Sequence, residues 1–129
     1  VNWNFAGWLA VAVVINLGTI DYSTTPHPGG EVFLLGFSNL ILKVRERYPL
    51  SLIFAVAGPL MVGPAEDTIR SVVTQMNEVL DDERVHFVLI ENTLELTAVD
   101  FGCDWHPNAS GQAKIAAQLA PAMAGILGW

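Results

Sequence analysis

Apolar residues fall along this chain in two alternating rhythms. The run Leu9-Ala-Val-Ala-Val-Val-Ile-Asn-Leu17, closed by Gly18, is nearly continuous and rich in β-branched residues. That pattern predicts a central strand buried on both faces of a parallel sheet. A Pro/Gly-rich loop from Thr24 to Gly30 follows; beyond it Phe33, Phe37, Leu40, Ile41, Val44 and Tyr48 recur at helical spacing, and Pro49 ends that helix. Ser51 to Gly58 repeats the strand pattern, with Gly58-Pro59 marking the loop after it. Glu66 and Asp67 open a second helix at the end where negative charge is favourable, and Ile69, Val72, Val73, Met76, Val79 and Leu80 form its apolar face. Val85 to Ile90 reads as a third strand, and a last helix, roughly Ala109 to Leu127, starts behind Asn108, a good N-cap residue.

Strands alternating with helices predict an α/β fold: an open parallel sheet with right-handed crossovers, in a three-layer α/β/α arrangement of flavodoxin-like type. Three apolar strands make a narrow sheet with unpaired edges, so a further strand-bearing segment or a second chain is expected to complete it. Ligands in such folds sit at the carboxyl ends of the strands, which directs attention to Asn16–Asp21, Gly58–Gly63 and the residues from Glu91 onward.

Composition removes several function classes. The chain has 129 residues, 52% hydrophobic and 15% charged, which fits one ordered domain. Six basic against 13 acidic residues leave a net charge of −7 without a basic patch, so a nucleic-acid partner is not expected. The apolar run Trp8 to Ile15 is far short of the roughly 18–20 residues that span a bilayer, and no basic segment precedes it; neither a membrane anchor nor a signal peptide is expected. A chain starting at Val1 is expected to be a processed or partial polypeptide. Its single cysteine, Cys103, excludes an intrachain disulfide and a cysteine-rich zinc module. No cofactor is expected, and no metal: Asp21, Asp104 and His106 form too weak a pattern for a metal site.

Two segments carry the candidate chemistry: Val14-Ile-Asn-Leu-Gly-Thr-Ile-Asp21 after the first strand, and Gly102-Cys-Asp-Trp-His-Pro-Asn108 before the last helix. Here the chain resembles the SGNH (GDSL-type) hydrolases, in which a Gly-x-Asn-Asp block ends a strand and an Asp-x-x-His-Pro block precedes the C-terminal helix. It is most similar to carbohydrate esterase family 2, of acetyl xylan esterase type, through Ile15–Asp21, Gly102–Asn108 and the terminal Leu127-Gly-Trp129. The resemblance covers essentially the whole chain but only the second half of the family's catalytic domain. Residues 1–129 are therefore expected to be a partial SGNH hydrolase domain lacking the N-terminal Gly-Asp-Ser segment.

The resemblance implies removal of O-acetyl groups from polysaccharide by a serine nucleophile with His106 as general base. Gly18 would let backbone approach substrate, and Asp104 would be the carboxylate that orients His106. Three departures stand out. Ile20 occupies the position where the family places a side-chain amide donor to the oxyanion hole. Asp104 lies two residues before His106 rather than three, so a backbone carbonyl is an alternative partner for the imidazole. No Gly-Asp-Ser occurs, and none of Ser23, Ser38, Ser51, Ser71 or Ser110 has a nucleophile's setting, so the nucleophile is expected outside this chain.

Other residues have plainer explanations. Asp21 either belongs to the site or caps its own loop. Trp105 either lines a sugar cleft or anchors the last helix, while Trp3, Trp8 and Trp129 read as packing residues. His27 and His86 read as structural, and Asn108-Ala-Ser110 as a coincidental sequon overlapping the helix cap. Low charge agrees with a secreted enzyme acting on neutral sugars. The alternative function is a catalytically inactive SGNH remnant serving as a carbohydrate-binding or assembly module.

Overall fold

A computed structural model describes residues 4–61, 64–91 and 96–129. Its sheet has three parallel strands in the order β1 (Ala12–Ile15), β2 (Leu52–Ala57), β3 (Val85–Leu89). Helices α1 (Gly30–Arg47) and α2 (Ala65–Glu78) make the crossovers, and α3 (Ala109–Leu127) closes the chain. Ala12 pairs with Leu52 and Ile15 with Ala55 on one side of β2; Ile53 pairs with Val85 and Ala57 with Leu89 on the other.

Alternation along the strands sorts side chains onto two faces. Ile53, Ala55 and Ala57 join Ile15 and Val85 against α1 and α2, where Phe33, Phe37 and Ile41 meet Ile69, Val72, Val73 and Met76. Phe54 and Val56, with Val88 and Ile90, face α3, which covers them with Ile115, Leu119, Met123 and Leu127, one residue per helical turn. The three-layer α/β/α arrangement is therefore present. Each fully buried large side chain contributes about 1.5–3 kcal/mol, and among the described residues more of them lie on the face bearing α1 and α2.

The first strand differs from its expected form. It spans four residues rather than nine, and among the described residues it pairs only with β2, so the central strand of this sheet is β2. Strand length is set by the neighbour: without a partner on its other side, Leu9, Val11 and Leu17 stay exposed and Val14 is 45% accessible. Helix α2 also ends earlier than its apolar pattern implies, which leaves Val79 and Leu80 in solvent. Trp8 and Trp129 are largely exposed rather than packed, and Trp3 lies outside the described residues.

At the amino ends of the strands Arg45 acts as a clip. Its Nε and a terminal nitrogen donate to Asp82 at 2.8 and 3.1 Å, while the other terminal nitrogen donates to the Ser51 and Tyr48 carbonyls at 2.7 and 3.1 Å. This forked contact ties the end of α1 to the entries of β2 and β3. The carboxyl ends of the strands are left for the loops that form the site.

Candidate active site

The loops after β1 and β2 and the loop before α3 converge on one cleft of about 380 Å³, lined by Thr19, Ile20, Ser23, Leu60, Phe101, Asp104, Trp105 and His106. It thus brings together four of the sequence-predicted site residues: Ile20, Asp104, Trp105 and His106. The turn presenting Ile20 is held by backbone, because the Ile20 carbonyl accepts from the Ser23 N–H at 3.2 Å and from its hydroxyl at 3.0 Å. Ser23 therefore directs its proton at that carbonyl, and it makes no hydrogen bond to His106.

Gly18 and Asp21 stand differently. Gly18 has φ +124°, a conformation that side chains rarely adopt, and a Cβ there would lie 3.0 Å from Phe33 and 3.3 Å from Met61. The backbone conformation, with close packing beside it, thus favours glycine here without any role in the site. Asp21 lies on a separate apolar groove with Leu17, Val32 and Phe37, and its carboxylate caps no backbone N–H among the described residues.

The loop carrying His106 is closed at its neck and strained at its tip. Phe101 and Pro107 form an antiparallel bridge, the Gly102 N–H donates to the His106 carbonyl at 2.8 Å, and the Asn108 N–H donates to the Asp100 carbonyl at 2.8 Å. At the tip Asp104 and Trp105 are both left-handed, with φ 52° and 59°. For residues with a side chain this costs about 1–2 kcal/mol each, so the neck must hold the tip in place. One result is a Trp105 ring that is 74% exposed, edge-on to Phe101 at 5.8 Å. The other is that His106 Nδ1 lies 3.3 Å from the Cys103 backbone carbonyl. With Nδ1–H donating to that oxygen, Nε2 carries the lone pair. Asp104 makes neither an ion pair nor a hydrogen bond to His106, so of the two partners considered for the imidazole the carbonyl is the one in contact.

Asp100 anchors the neck, and the sequence reading missed it. It is fully buried, accepts from the Thr97 N–H at 2.8 Å and hydroxyl at 3.0 Å, from Ser110 Oγ at 2.8 Å and from Lys114 Nζ at 2.7 Å. The Lys114 ammonium, the Thr97 amide and the Ser110 hydroxyl hold its carboxyl well below the usual carboxylate range. The available signal was Thr97-x-x-Asp100, a capping pattern around a short 3-10 turn at Ala98–Asp100. Asn108 completes the neck as foreseen: its Oδ1 accepts from the Ser110 and Gly111 amides while its Nδ2 donates to the Val99 and Phe101 carbonyls.

A pH effect follows from Asp100. Below about pH 4 the unfolded chain protonates this carboxyl while the folded chain does not. Stability is therefore expected to fall as pH drops below that point, and Asp100→Asn to flatten that acid limb. Urea midpoints for both proteins at about pH 5 and pH 3 measure it; equal acid losses in the two would remove Asp100 as the cause.

Cys103 is an exposed free thiol. No group of three or more His, Cys, Asp or Glu among the described residues is arranged to hold a metal ion.

No protein-family model matches the chain. The cellulase/esterase CelE of Acetivibrio thermocellus is 35% identical over 132 residues, an alignment covering 100% of this chain and 16% of that protein. A solved family two carbohydrate esterase from Clostridium thermocellum, in complex with cellohexaose, superposes with a TM-score of 0.88 at 32% identity, over 100% of this chain and 40% of its own. The chain is homologous to part of a family two carbohydrate esterase. The fold extends to an acetyl xylan esterase (Est2A) from Butyrivibrio proteoclasticus, with a TM-score of 0.84 at 22% identity over 99% of this chain and 40% of that one. This chain spans less than half the length of each of these proteins.

Proposed function

We propose that this chain is the base-bearing, C-terminal part of a carbohydrate esterase that removes O-acetyl groups from polysaccharide outside the cell. The observation that carries the reading is His106, held through Nδ1 by the Cys103 carbonyl in a cleft at the carboxyl ends of the strands. In this reading a serine hydroxyl from a segment outside the chain gives its proton to His106 Nε2 as its oxygen attacks the acetyl carbonyl. His106 then returns the proton to the sugar oxygen as its bond to the acetyl carbon breaks, and water releases acetate by the same path in reverse. The pair works as a Ser-His dyad, with a peptide dipole in place of the orienting carboxylate.

Three observations support the substrate and the missing piece. The exposed Trp105 ring offers a flat apolar face of the kind that packs on pyranose rings. The relatives are named as a cellulase/esterase and as a family two carbohydrate esterase solved with cellohexaose. The unpaired edge of β1, with Leu9, Val11 and Val14 exposed beside it, suits a strand-bearing segment or second chain that brings the serine.

One observation favours a second reading. Ile20, 73% exposed in the cleft, cannot donate a hydrogen bond to an oxyanion, as a carbohydrate-binding or assembly module without activity would tolerate. A fluorophosphonate serine probe with intact-mass readout separates the two on the protein as its gene encodes it. A single label outside residues 1–129, lost when His106 is replaced, is expected for the esterase. No label, or a label on Ser23, overturns the esterase reading and leaves binding to acetylated oligosaccharide as the property to measure.

A further inference from the structure

We infer that Asp100, bonded to α3, is a positioning residue for His106, acting through the neck of the loop to set which imidazole nitrogen carries the proton. The inference rests on the reading of His106 as the base. Four contacts at the Asp100 carboxylate come from two separate stretches: Thr97 ahead of the loop, and Ser110 and Lys114 in the first turns of α3. Its carbonyl accepts the Asn108 N–H at the other side of the neck. Gly111 fits against that same carbonyl so closely that a Cβ would lie 2.5 Å from the oxygen. The carboxylate and the carbonyl of one buried residue thus pin both ends of a loop only seven residues long, 101–107, to a helix.

That clamp has a function the fold does not need. The loop tip holds two consecutive left-handed residues, Asp104 and Trp105, and in that form the Cys103 carbonyl faces His106 Nδ1. A loosened neck lets the tip relax toward ordinary backbone conformations. The carbonyl then leaves Nδ1, and the imidazole loses the contact that assigns its proton. Asp100 touches neither the imidazole nor the cleft, so its effect on His106 passes entirely through the backbone from 101 to 106.

The test is ¹⁵N–¹H correlation of histidine side chains in the ¹⁵N-labelled protein as its gene encodes it, with the His106 signals assigned by their loss in His106→Gln. In the unaltered protein the His106 nitrogens are expected far apart in shift, one protonated and one bare, as the Nδ1–H tautomer requires. In Asp100→Asn the two shifts are expected to converge as the tautomers mix, while His86, stacked on Phe54 in the sheet, keeps its shifts and reports an intact fold. Where Asp100→Asn disturbs His86, Lys114→Met carries the same comparison, because it removes the ammonium and keeps the stem. Unmoved His106 shifts in a folded variant overturn the inference. Convergence in a protein that hydrolyses no ester keeps Asp100 as a positioning residue and removes the esterase reading; hydrolysis with an unmoved tautomer does the reverse.

Discussion

Ile20→Asn is expected to raise acetyl-ester turnover by roughly 10²- to 10³-fold in the protein that includes the serine, the factor carried by one oxyanion-hole donor. The substitution should be structurally cheap. Ile20 is mostly solvent-exposed, and its turn is fixed by the bonds of Ser23 to the Ile20 carbonyl rather than by the side chain. An asparagine therefore inherits the same backbone and enters the same cleft as His106, with an amide where the isoleucine has only methyl groups. Initial rates with an aryl acetate, alongside thermal melts of both proteins, measure the effect. An unchanged rate at an unchanged melting temperature would mean that the oxyanion is held elsewhere.

The second large effect is a loss. His106→Ala is expected to lower turnover by roughly 10²- to 10⁴-fold, the usual worth of a positioned general base. Stability should change by about 1 kcal/mol or less, since the side chain is exposed and has one long hydrogen bond. Asp104→Asn supplies the contrast. Because Nδ1 meets the Cys103 carbonyl, removing the Asp104 charge should leave turnover within a few-fold, whereas a triad carboxylate would cost about 10⁴. Equal, large losses for both variants would show that Asp104 swings onto the imidazole during the reaction.

Much of this architecture is written in local pattern. Pro49 and Asn108 bound their helices as their chemistry requires, and the short apolar runs Leu52–Ala57 and Val85–Leu89 became strands. The failures lie where an outcome depends on a neighbour. Strand β1 is shorter than its apolar run because pairing exists only where β2 runs beside it. Ile20, Asp104, Trp105 and His106 were legible because the two blocks that carry them are distinctive side-chain motifs. Which carbonyl partners His106 was not, since a backbone carbonyl occurs at every residue and it is the left-handed turn at 104–105 that accompanies this contact. Asp100 escaped notice because its meaning lies in contacts with Ser110 and Lys114, which α3 brings back to it.

The two faces of the sheet are unequally insulated, and the base hangs from the thinner one. Among the described residues, helix α3 buries only Gly111 outright, and the core beneath it has four buried residues, against fourteen on the side of α1 and α2. Yet Ser110 and Lys114, which grip the loop of His106, belong to α3. Partial opening of this outer layer is expected to require less free energy than unfolding of the sheet. On warming, the molecule is therefore expected to disarm itself before it melts, the imidazole losing its setting while β2 is still intact.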